Sequence, residues 1–136
     1  MSCKSNIYVV NTASTAVVAN GVIPVPTIVR RYGNNINAAG SSVTLNEAGY
    51  YLVSANVTFT APVAGVVSIA LQDDGSTVPG AVAATTVTTA TTEPRSLSLT
   101  AIVRVFCGSA PDALTLLNTG VAATYSNVAL SVVKIV

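Results

Sequence analysis

Residues 50–61 read YYLVSANVTFTA, and they decide the fold class. Tyr51, Val53, Ala55, Val57, Phe59 and Ala61 are all apolar, while Tyr50, Leu52, Ser54, Asn56, Thr58 and Thr60 grow more polar along the chain. Successive side chains of an extended strand point to opposite faces, so this period of two gives one face to a core and leaves the other less dry. A helix would need apolar residues at spacings of three and four over several turns, and no segment supplies them.

The same pattern spreads outward from this segment. Residues 62–65 turn the chain, and 66–72 return with Val67, Ile69 and Leu71 inward. Asp74-Gly75 is a hairpin signal, because both residues tolerate positive φ. Val78-Pro79-Gly80 adds a kink before a Thr/Ala/Val strand over 81–92. Residues 95–107 alternate again, with Leu97, Leu99, Ala101, Val103 and Val105 on one face, and 114–117 and 124–135 finish the chain. On the N-terminal side, strands are expected over 7–11, 16–23, 27–32 and 42–45. The second of these is broken at Asn20-Gly21 and kept from a central place by Pro24 and Pro26. About ten antiparallel strands and no helix imply an all-β domain of two packed sheets, a sandwich or a jelly roll, spanning residues 1–136.

Composition narrows the function. Hydrophobic residues make up 51% of the chain and charged residues 8%, against about 25% charged in an average soluble domain. A surface so poor in charge is covered either by Ser, Thr and Asn or by other subunits. The net charge of +1 provides no electrostatic footprint for nucleic acid or an anionic membrane. The uncharged run 48–72 has a bilayer's length, but its polar residues and period of two make it strand, not membrane helix. The first residues, MSCKSNIYVV, contain no apolar signal core, so synthesis in the cytosol is expected. Free thiols are then expected at Cys3 and Cys107, the latter read as a small buried residue.

Enzymatic chemistry finds little material. The chain has no His, which removes the usual general base and most transition-metal sites. Asp73 and Asp74 are adjacent, so a strand would point them apart, a poor arrangement for a paired acid and base. No cofactor is expected. Calcium is the one ion weighed, through Asp73, Asp74 and Asp112, against the simpler reading of a solvated turn. Arg30 and Arg31 are expected to point to opposite sides, with a salt bridge to Glu47 or Glu93.

Residues 46–75, NEAGYYLVSANVTFTAPVAGVVSIALQDDG, resemble the tumour necrosis factor and complement globular-head superfamily. Gly49-Tyr50-Tyr51 matches the Gly-aromatic-aromatic opening of that family's central strand, and 125–136, YSNVALSVVKIV, looks like its last strand. The likeness is nearest to small phage-encoded members and to bacterial spore-surface heads, although no Gly-X-Y stalk is present. It implies a jelly roll assembled as a homotrimer. The outward residues Tyr50, Leu52, Ser54 and Asn56, then Ile102, Arg104 and Phe106, then Asn127, Ala129, Ser131 and Val133 would supply the interface, by a contact that closes a ring.

The function expected from this resemblance is a non-enzymatic structural protein of a phage virion, a head decoration or head-fibre module. Its partners would be capsid or other virion proteins, with residues 1–8 as an N-terminal tether. The alternative is an adhesive head on a phage fibre or on a bacterial spore or cell surface. Such a head would hold a host glycan or receptor through loops at 33–41 and 93–96.

Overall fold

The computed structural model describes residues 5–89, 91–108 and 111–135, with Thr91 and Thr92 described in backbone only. Twelve strands occur among them and no helix: β1 (Asn6–Asn11), β2 (Thr15–Val17), β3 (Gly21–Val22), β4 (Thr27–Tyr32), β5 (Ile36–Ala39), β6 (Ser42–Leu45), β7 (Gly49–Ala61), β8 (Gly65–Asp73), β9 (Ser76–Val87), β10 (Thr91–Val105), β11 (Asp112–Asn118) and β12 (Ala123–Lys134). They form two antiparallel sheets. The front sheet runs β10-β7-β12-β1-β4, with β2 added to β12, and the back sheet runs β5-β6-β11-β8-β9, with β3 added to β11. The result is a jelly-roll sandwich.

The alternation read from the sequence is what packs the sheets. Tyr51, Val53, Val57, Phe59 and Ala61 of β7 are fully buried, and they meet Val67, Ile69 and Leu71 of β8 and Leu114 and Leu116 of β11 in one core. Two buried phenols keep polar partners. Tyr51 Oη donates to the Glu47 carbonyl at 2.6 Å, and Tyr125 Oη donates to Asn118 Oδ1 at 3.2 Å. The Asn118 amide in turn donates to the carbonyls of Val17, Val18 and Val121, which ties the β2–β3 turn to the end of the sandwich. Burial pushes the Tyr125 phenol up to about 12, so it remains a donor.

Turn chemistry follows the residues as well. Asp74 and Gly75 have φ of 50° and 87°, the two positive values that a tight hairpin between β8 and β9 requires. At Gly120 the chain passes so close to β8 that a Cβ would lie 2.1 Å from the Val66 carbonyl oxygen. The 119–121 turn thereby covers the outer side of β8, where Thr119 Oγ1 donates to Ser68 Oγ at 2.8 Å. This explains why Ser68 and Ala70 are buried on a face that alternation would leave open.

Several expectations need correction. The count is twelve, because 16–23 is two short strands and β5 was read as part of a loop; only Ile36 in INAA carries an apolar signal. Residues 93–96 also lie within a strand, β10. Of the tether read at 1–8, residues 1–4, Cys3 included, lie outside the described residues. Asn6–Tyr8 are built into β1 between β12 and β4, and Ser5 is buried, its carbonyl accepting from Lys134 N at 2.9 Å. Cys107 is exposed, because β10 ends at Val105 and the chain is already turning. Glu47 pairs with Lys134 Nζ at 2.5 Å, not with an arginine. Arg31 instead spans the open side of the sandwich, donating to the Ile36 carbonyl at 2.9 Å and to Asn37 Oδ1.

Lys134 sits on the inward side of β12 at 6% exposure, so its charge depends on Glu47. Glu47→Gln is expected to destabilise the fold by about 1–3 kcal/mol, because it strands a buried ammonium. Lys134→Met is expected to be near neutral, because it removes the buried charge altogether. Urea midpoints of the two variants check this, and an equal loss in both would refute it.

Candidate interaction face and acidic cluster

The register of the front sheet places the outward residues in rows. Ile102 lies opposite Leu52, Leu52 opposite Val133, Val133 opposite Asn6, and Asn6 opposite Tyr32. The next row is Thr100, Ser54, Ser131, Tyr8 and Arg30. Then come Ser98, Asn56, Ala129, Val10 and Thr27, followed by Ser96, Thr58 and Asn127. One end of the face is therefore apolar and the other is Ser, Thr and Asn. The division follows directly from the growing polarity of the even positions of β7.

At the apolar end, Tyr50, Leu52, Ile102, Phe106, Val133 and Ile135 are all exposed, Ile102 at 61% and Phe106 at 56%. Arg104 lies among them, its guanidinium carbon 4.3 Å from the Phe106 ring centre and 5.4 Å from that of Tyr50. A cation held over two ring faces is attracted by both and keeps the rings standing off the sheet. All eleven outward residues singled out in the sequence lie on this side. Five of them, Tyr50, Leu52, Ile102, Phe106 and Val133, form the apolar end with Arg104. Ser54 and Ser131 occupy the middle, and Asn56, Ala129 and Asn127 lie toward the polar end. Tyr8 and Tyr32 belong to the same face and were not singled out, since nothing local says that β1 and β4 join this sheet. Tyr8 was legible only as an alternate position of a short first strand.

A second feature lies at the β8–β9 hairpin. One carboxylate oxygen each from Asp73, Asp74 and Asp112 falls within 4.8 Å of the others. The adjacency of Asp73 and Asp74 does not separate them, contrary to the strand argument, because Asp74 has already left the extended conformation. The Asp74 carboxylate accepts from Ala113 N at 2.8 Å while its own amide donates to the Ala113 carbonyl at 2.9 Å, which fixes the hairpin to β11. Asp73 Oδ1 is buried with no donor in contact, and Asp112 is buried beside it. Desolvation first, and then the hydrogen bond and charge of Asp112, push Asp73 up to about 7. A buried carboxyl beside a second carboxyl favours its neutral form. Asp74 is held by the Ala113 amide, and three carboxylate oxygens are fewer than the six to eight that calcium takes.

A cavity of about 310 Å³ adjoins this end, lined by Asp73, Ser76, Thr77, Val78 and Pro79 on one side and Ile102, Val103 and Arg104 on the other. It opens at the edge where β9 of the back sheet approaches β10 of the front sheet.

With this geometry established, the architecture is that of the tumour necrosis factor and complement C1q-like jelly rolls. Murine APRIL superposes with a TM-score of 0.73 over 98% of this chain and 100% of its own, at 18% identity. The globular domain of zebrafish complement 1qA gives 0.67 over 93% and 94%, at 8% identity. The PRD1 vertex protein P5 gives 0.65 over 97% of each chain, at 14% identity. No protein-family model matches the chain, and no curated protein does.

The raised Asp73 carboxyl has a consequence for stability. Between pH about 4 and about 7 the folded chain retains a proton that the unfolded chain, with Asp73 near 3.8, has released, so stability falls as pH rises through that window. Asp73→Asn is expected to flatten this slope. Thermal midpoints at pH 4, 5.5 and 7 check it, and an unchanged slope in the variant would refute the assignment.

Proposed function

We propose that this chain is a non-enzymatic structural module of a phage virion, a head decoration or head-fibre unit, that works as a homotrimer with its front face turned to a threefold axis. The observation that carries the reading is the row of exposed apolar side chains at one end of that face, in a chain with only 8% charged residues. Contiguous exposed apolar surface on a protein is a mark of a contact site. Tyr, Phe and Arg, found here at Tyr50, Phe106 and Arg104, are enriched at the centres of protein interfaces.

Size supports it as well. β7 is 13 residues long, and at about 3.3 Å per residue and 4.8 Å per strand the five-stranded face covers roughly 800 Å². That is about one partner's share of a standard interface. Three such faces around an axis would bury the apolar end and leave the Ser, Thr and Asn end hydrated. The virion setting is supported by the likeness in fold to a protein described as a vertex protein. In this reading the partners are three copies of the chain and a capsid protein, and the module's work is mechanical.

Sedimentation equilibrium is expected to give three times the chain mass. Leu52→Asp combined with Ile102→Asp is expected to give a folded monomer, because charge at the sealed end is desolvated without a partner. Electron cryomicroscopy of particles is expected to place the trimer on the head. A wild-type monomer at micromolar concentration would overturn the assembly, and particles lacking the protein would overturn the virion role.

A further inference from the structure

The front sheet has two different edges, and the rows show which parts of them share a level. Tyr32 of β4 ends the same row that Ile102 of β10 begins. Tyr32 is the most exposed of the aromatic side chains for which an exposure is given, at 65%, and all six residues of β4 are exposed. A strand open on both faces, at a sheet edge, has outgrown the core of its own subunit. At the opposite edge lies the cavity lined by Asp73, Val78, Pro79, Ile102 and Arg104, large enough to accept a side chain.

Cyclic symmetry connects the two edges. In a ring of identical subunits every front sheet runs from β10 to β4 in the same sense, so the β4 edge of one subunit meets the β10 edge of the next. For an axis along the middle strands, rotation leaves height unchanged and brings residues of one row to about the same level. Tyr32 and Ile102 are such a pair.

We propose that Tyr32 of one copy enters the Asp73–Pro79–Ile102–Arg104 cavity of the next copy and closes the ring. This rests on the trimer reading above. The chemistry fits the guest: Pro79, Val78 and Ile102 offer apolar walls, and Arg104 offers a cation for the ring face. The occupant is a second copy of this chain, not a glycan.

The test is a cross-link. Tyr32→Cys with Ile102→Cys, in a background of Cys3→Ser and Cys107→Ser, places two thiols four strand spacings apart within one subunit. That is about 19 Å, whereas a disulfide needs Cα atoms within about 7 Å, so any bond formed must join two copies. Mild oxidation is expected to give covalent trimers on non-reducing gels, with neither single variant giving more than dimers. A protein that sediments as a trimer yet stays uncross-linked would overturn the Tyr32 contact and leave the trimer standing. A monomer would overturn both. Tyr32→Ala is expected to raise the trimer dissociation constant at least tenfold with an unchanged circular dichroism spectrum. An unchanged constant would count against the contact even if the thiols react.

Discussion

The alternation along β7 is the constraint on which the rest of the molecule depends. This strand pairs with β10 on one side and β12 on the other, so its register fixes that of the other two long strands of the front sheet. A slip of one residue would turn Tyr51, Val53, Val57 and Phe59 to the outside and bring Ser54 and Asn56 into the core. Burial of those apolar side chains against β8 and β11 sets the register, and through it the composition of every row on the opposite face. Core and contact face are thus two readings of one period. The apolar even positions at the Gly49 end and the polar ones at the Ala61 end divide the outer face, and neighbouring strands repeat the division through Ile102 and Val133 at one end and Ser96 and Asn127 at the other.

Several of the charges among the described residues stand at the margins of this design. Lys134 is inward but lies at the last turn of the sandwich, where Glu47 reaches it. Arg31 spans the open side between β4 and β5, and Arg104 is held among aromatic rings. The three aspartates gather where a hairpin meets β11. Each of these charges stands where an edge or turn leaves backbone or side-chain groups to satisfy it, as burial in low dielectric demands. A chain with few charges places most of them at such junctions, and the broad faces are left to Ser, Thr, Asn and apolar residues that pack without electrostatic cost.

The residues that face inward were legible from the chain alone. Along β7, β8 and β10 the apolar alternates named by period are buried in the core, apart from Ala101, which is partly buried against it. β4 and β6 were legible to their end residues, and the Asp74-Gly75 hairpin from its turn chemistry. Local pattern failed where a strand was short or a residue stood at a boundary. β5 escaped notice because four residues with one large apolar side chain hold too little periodicity, and Ile36 is buried only because β6 and the core receive it. Cys107 continued an apolar run whose strand had already ended. The burial of Ser68 comes from the 119–121 turn crossing β8, a contact between segments far apart in the chain.

The sequence by itself determined strand character, the inward set of side chains and the polarity gradient along β7, because these depend on spacing within single strands. Only the tertiary structure decided that β1 lies between β12 and β4, that Tyr32 shares a row with Ile102, and that Asp73, Asp74 and Asp112 gather at one hairpin. The physical reason is that strand order comes from pairing between segments distant in the chain. That pairing is set by how two whole sheets bury their inner faces together, and no local period records it.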